Sequence, residues 1–110
     1  MTARHRLPDR RRMEVVKFDH EGHSYFARIG FYDDGRIGEV FLNCKNLSTP
    51  LDIAARDAAI AISFALQHGS DISTMRRAFT RDASGRPEGV LGALLDALAD
   101  GNIQHVGEAA

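Results

Sequence analysis

Cys44 is the single cysteine in 110 residues, and it closes the alternating apolar stretch GEVFLNCKN at 38–46. Three kinds of chemistry are open to such a residue. As a nucleophile it needs a neighbouring base, a lowered pKa and exposure. As a metal ligand it needs further N or S donors, and His20 and His23, at the end of the first hairpin, lie near it in projection and would begin a zinc site. As a small buried hydrophobe it needs only a core position. One cysteine excludes an internal disulfide, a CxxC redox pair and a four-cysteine zinc site.

Two other groupings carry chemistry. The paired carboxylates Asp33-Asp34 could exchange protons only inside a pocket, and they fall in a sequence whose turn geometry already accounts for them. Gly85-Arg86-Pro87 stands ahead of a helical pattern, where backbone N–H groups and an arginine favour an anion. With Arg76, Arg77 and Arg81, Arg86 is thus a candidate contact for a phosphate or a nucleotide.

These residues must be positioned by their elements. MEVVKF at 13–18 is expected to form a first strand, 19–22 a turn, 23–32 a second strand and 37–44 a third. Asp34-Gly35 signals a two-residue type I′ hairpin. With Asp33 facing Arg36, Ile29 falls opposite Val40, Ala27 opposite Leu42 and Tyr25 opposite Cys44. One face then carries Tyr25, Ala27, Ile29, Phe31, Val40, Leu42 and Cys44, joined by Val16 and Phe18. This core face places the thiol inward. The opposite face carries Phe26, Arg28, Tyr32, Ile37, Glu39, Phe41 and Asn43, with Met13 and Val15 nearby, and a patch so rich in large apolar residues points to an interface. The interface candidates are Phe26, Arg28, Ile37, Glu39, Phe41 and Asn43.

Thr49, Pro50 and Asp52 supply a cap, a first-turn proline and a first-turn acid for a helix running to about His68 and stopped by Gly69. Apolar residues fill most of its circumference, so it is expected to be largely buried against the sheet. A second helix starts at Ser70 or Asp71, with Ile72, Met75, Ala78 and Phe79 at helical spacing. Residues 80–87 form a loop. A third helix runs from about Glu88 to Asp100, with Gly101 as its stop. The fold class is α+β: a three-stranded antiparallel β-meander followed by three helices packed on one face. Residues 1–12 form a basic arm, 13–101 a single domain and 102–110 a frayed tail.

The net charge of −1 conceals an uneven distribution, because Arg4, Arg6, Arg10, Arg11 and Arg12 oppose only Asp9 in the first twelve residues. Such an arm suits an acidic protein surface, a phosphate or the body of a second copy. Nucleic acid is not the expected partner, since no basic face continues into the body. There is no run of about 18 apolar residues for a spanning helix and no apolar signal segment, so a cytoplasmic protein is expected.

LPDRR at 7–11, FYDDGRIGEVFL at 31–42 and ALQHG at 65–69 together resemble, in order and spacing, a region near the carboxyl end of adenosylcobalamin-dependent (class II) ribonucleotide reductases. That region is related to the TSCPD domain, named for a Thr-Ser-Cys-Pro-Asp signature. The similarity runs from about Arg4 to Leu98. TSCPD domains resemble metal or redox modules because they hold several cysteines. Here only the cysteine that ends the third strand has a counterpart, Cys44, and Gly85-Arg86-Pro87-Glu88 stands where the signature would precede the last helix.

The resemblance therefore carries over neither a metal site nor a redox pair, nor the catalysis of the much larger reductase barrel. It implies a non-catalytic accessory or regulatory module of deoxyribonucleotide synthesis, with a ribonucleotide reductase as partner and adenosylcobalamin reached only through that partner. This chain itself is expected to bind no cofactor. The alternative is a stand-alone interaction or ligand-binding domain that self-associates through the outer sheet face.

Overall fold

The computed structural model describes residues 3–44 and 50–100 and the backbone of 104–109. Strands β1 (Met13–His20), β2 (His23–Phe31) and β3 (Ile37–Cys44) are followed by helices α1 (Pro50–Gln67), α2 (Ile72–Ala78) and α3 (Val90–Asp100). A fourth strand, β4 (Gln104–Ala109), pairs antiparallel with β1, and the sheet order is β3-β2-β1-β4. The expected frayed tail is thus corrected over 104–109. Its backbone occupies an edge of β1 that would otherwise present unpaired N–H and C=O groups, and backbone pairing leaves little trace in side-chain pattern.

Tyr25↔Cys44, Ala27↔Leu42 and Ile29↔Val40 pair as expected, but the turn that sets them differs. Gly35 N–H bonds the Tyr32 carbonyl at 2.9 Å, and Tyr32 N–H bonds the Arg36 carbonyl at 2.9 Å. Only Gly35, φ +92°, has positive φ in the turn. This is a three-residue loop with a glycine in the left-handed region, not a type I′ turn. It shifts the pairing by one residue, and the shift between Gly30 and Phe31 shifts it back, leaving Phe31 opposite Ile37 and Gly30 opposite Glu39. In consequence Tyr32, expected outside, is buried, while Phe31 packs against the core only in part.

The core joins Val16, Ala27, Ile29, Val40 and Leu42 of the sheet to Ala55, Ala59 and Ile62 of α1 and Leu91 and Leu94 of α3. Helix α1 also closes the outer edge of β3 with polar side chains. Gln67 Nε2 donates to the Gly38 carbonyl at 3.0 Å, the Ser63 hydroxyl meets both backbone groups of Val40, and Asp52 Oδ1 accepts from Cys44 N–H at 3.0 Å. Asp52, Ser63 and Gln67 are buried because each satisfies backbone groups that an edge strand would otherwise leave open.

Only that side of α1 is buried. Leu51, Ile53, Ile60 and Phe64 are 46–60% exposed, which corrects the expected burial of the helix. The expected cap at Thr49 and stop at Gly101 lie outside the described residues. Helix α2 is capped by Asp71, whose carboxylate accepts from Thr74 N–H at 2.7 Å. No described helix is long and apolar enough to cross a membrane.

The arm is ordered from residue 3 and crosses the turn end of the β2–β3 hairpin. His5 N–H bonds the Gln67 carbonyl at 2.6 Å, the His5 ring stacks on Tyr32, and the Tyr32 hydroxyl donates to the His5 carbonyl. Leu7 then lies against Gly38, where a Cβ would come within 2.9 Å of Leu7 Cδ2 and 2.6 Å of Tyr32 Cε2. Arg11 ends the crossing on the buried carboxylate of Glu39.

Candidate functional site

The four candidate anion-binding arginines do not converge on an open site. Arg81 makes a two-pronged contact with Asp96, Nη1 to Oδ2 at 2.9 Å and Nη2 to Oδ1 at 2.7 Å, and Arg76 Nε reaches the same Oδ1 at 3.0 Å. Arg81 also donates to the carbonyls of Gly85 and Arg76. These bonds pin the 80–88 loop and α2 to α3. The bond to Arg81 holds the Asp96 carboxyl below its usual range, and the bond to Asp96 raises Arg81 above its own. Arg77 is exposed and reaches Ser73 Oγ at 3.4 Å. Arg86 is exposed at a cleft of about 370 Å³ lined by His20, Glu21, Asp82, Pro87 and Glu88.

The Gly85-Arg86-Pro87 segment repeats the hairpin turn at 32–36. Gly85 N–H bonds the Asp82 carbonyl at 3.0 Å, Asp82 N–H bonds the Arg86 carbonyl at 2.9 Å, and Gly85 has φ +88°. Arg81 and Pro87 bridge across its base. Asp82 Oδ1 accepts from Ser84 N–H, Ser84 Oγ and Arg86 N–H, so the backbone donors that might have met an anion already meet this carboxylate. The Ser84 hydroxyl bond leads in holding Asp82 below its usual value. Asp33-Asp34 is explained the same way: Asp34 accepts from Arg36 N–H at 3.0 Å and Nε at 2.8 Å, at full exposure.

Cys44 is buried, paired with Tyr25 and packed in the core. His20 and His23 pair at the far hairpin end, and His20 Nε2 lies 3.1 Å from the Glu88 carbonyl. Among the described residues no three His, Cys, Asp or Glu side chains form a metal-holding group, so the structure does not assemble the alternative site of His20, His23 and Cys44. The residue separation along β2 explains this: Cys44 pairs two positions beyond His23 and faces the core.

On the outer sheet face, Phe26 is exposed opposite Asn43, and Arg28 lies over the Phe41 ring at 5.0 Å. Ile37 packs partly against the core. Glu39 is buried, held by Arg11 through Nε and, at 3.1 Å, through Nη2. It anchors the arm and is not available as a contact. Sequence reasoning missed the outward side of α1, where four of the five exposed large apolar side chains lie. The signal was present in the apolar residues around the helix, but it was read as burial on all sides.

The comparisons with known proteins place this architecture beside one group. The chain is 38% identical over 80 residues to a vitamin B12-dependent ribonucleotide reductase of Bradyrhizobium diazoefficiens. It is 36% identical over 77 residues to one of Agrobacterium fabrum, and 31% over 77 residues to one of Rhodopirellula baltica. These alignments cover 70–73% of this chain but span only 6–7% of the length of the relatives. The chain is therefore homologous to a segment of those reductases. No protein-family model matches it, and no solved structure matches it.

Proposed function

We propose that this chain is a non-catalytic accessory module of vitamin B12-dependent ribonucleotide reduction, a cysteine-poor TSCPD-like domain that acts on or within a reductase in deoxyribonucleotide synthesis. The observation that carries this reading is the homology, 38% identity over 80 residues to a segment amounting to 6% of a reductase. The geometry agrees with a supporting role. Cys44 is packed in the core, Asp34 and Asp82 close turns, and Arg76 and Arg81 are bound to Asp96.

Adenosylcobalamin and nucleotide belong to the partner's chemistry in this reading, and the chain works in the cytoplasm beside it. Docking uses the faces of the domain, because α1 already occupies the β3 edge that a partner strand would need. A pull-down with the tagged chain from its native cells tests the proposal. Recovery of a B12-dependent ribonucleotide reductase supports it, and reproducible recovery of unrelated partners without a reductase contradicts it.

A further inference from the structure

We propose that the chain pairs with a second copy of itself through the outward side of α1, as a parallel two-fold helix pair. Ile53, Ile60 and Phe64 stand 46–54% exposed in the folded chain. With Asp57 they follow the 53, 57, 60, 64 spacing, the alternating four- and three-residue steps of a two-stranded helical seam. Ala54 and Ala61, both exposed, flank it and allow close approach. The β3 edge is sealed by Ser63 and Gln67, so strand addition there does not compete.

The occupant is identified by charge. Arg56 and Asp57 are exposed, adjacent and of opposite sign, and neither has a partner among the described residues. They project on opposite flanks of the seam, because successive helical residues are about 100° apart. A two-fold axis parallel to α1 brings each flank against the other flank of the second copy at the same height. Arg56 then meets Asp57 of the second copy twice, while Ile53, Ile60 and Phe64 each meet their own counterparts near the axis. An antiparallel pair would set Arg56 against the Arg56 flank and Asp57 against the Asp57 flank. The polar position inside the seam fixes register and orientation, and the apolar residues supply the affinity.

This inference is independent of the reductase reading, and its test reads only mass. Light scattering and sedimentation equilibrium of the purified full chain are expected to show a dimer with a dissociation constant of roughly micromolar order, as befits a short seam. Ile60→Asp abolishes the dimer with the circular dichroism spectrum unchanged. Arg56→Asp or Asp57→Arg alone weakens it about tenfold or more through like-charge contacts, and the double reversal R56D/D57R restores it. A monomer at about 100 times the expected dissociation constant would overturn the proposal. So would a dimer indifferent to Ile60→Asp, one lost on Phe41→Ser instead, or a double reversal that stays as weak as the single ones.

Discussion

Ser63 Oγ lies 2.9 Å from both the amide nitrogen and the carbonyl oxygen of Val40. One hydroxyl on α1 thus accepts the outward N–H of a residue on the edge strand and shares its single proton between the carbonyls of Val40 and, at 3.0 Å, Ala59. Gln67 at Gly38 and Asp52 at Cys44 treat the same edge in the same way. The helix therefore serves the sheet twice, as an apolar lid and as a substitute for a neighbouring strand.

Ser63→Ala should destabilise the fold by about 1–3 kcal/mol, because it leaves the buried Val40 N–H without a partner. Urea unfolding would show the loss as a lower midpoint at unchanged slope. Native-state hydrogen exchange should be accelerated at Val40 above all. An unchanged midpoint would mean that water reaches this edge.

The arm should be a structural part of the domain, held by Arg11 on Glu39, whose side chains are 26% and 6% exposed. Hydrogen bonding to Glu39 holds the Arg11 guanidinium above its usual pKa. Arg11→Ala leaves a buried carboxylate unpaired and is expected to cost about 2–4 kcal/mol, below the loss from a wholly buried pair because Arg11 is partly in water. Limited proteolysis should then cut within residues 3–12, where the parent chain resists. Pairing the change with Glu39→Gln should recover most of the stability, since the uncompensated charge is gone.

Acid should loosen the attachment of α2 and the 80–88 loop to α3. Asp96 is held below its usual carboxylate range by Arg81 first and also by Arg76. A carboxyl with a depressed native pKa stabilises the fold fully above its unfolded value of about 3.9 and loses that contribution as pH falls through the lower native value. Asp96→Asn should therefore lower stability by about 1–2 kcal/mol at neutral pH, discounted for partial exposure, and by little near pH 2. Urea midpoints measured across that range would show the two chains converging.

Cys44 should behave as packing. In the native chain a thiol reagent such as Ellman's is expected to react with it only at the rate of opening or unfolding, and at once in denaturant. Fast stoichiometric reaction under native conditions would restore the nucleophile reading.

Much of this was legible in the residues. The alternation in β2 and β3 gave the pairing Tyr25↔Cys44, and with it the inward thiol. The expected register holds although the expected turn does not: the three-residue loop at Asp33–Gly35 and the irregularity by Gly30 and Phe31 offset each other. Gly38, beside that irregularity, admits Leu7 and Tyr32 because it lacks a side chain, a requirement that only the docked arm makes visible.

What stayed hidden depends on long-range backbone chemistry. Buried Asp52, Ser63 and Gln67 read as the polar side of α1, yet they face inward, since an edge strand needs hydrogen-bond partners. That inversion turned Ile53, Ile60 and Phe64 outward. Arg76 and Arg81 read as anion ligands because Asp96, 15 to 20 residues away in the chain, could not be placed beside them from spacing alone.

The central claim is that the chain supports a reductase and is not itself one. Its most direct measurement takes a B12-dependent ribonucleotide reductase from which the homologous segment has been deleted, and assays deoxyribonucleotide formation with adenosylcobalamin and reductant, with and without the purified chain. The account predicts no product from the chain alone, and a saturable increase in the truncated enzyme's activity accompanied by a stable complex. Unchanged activity with no complex, or product formed by the chain alone, would contradict it.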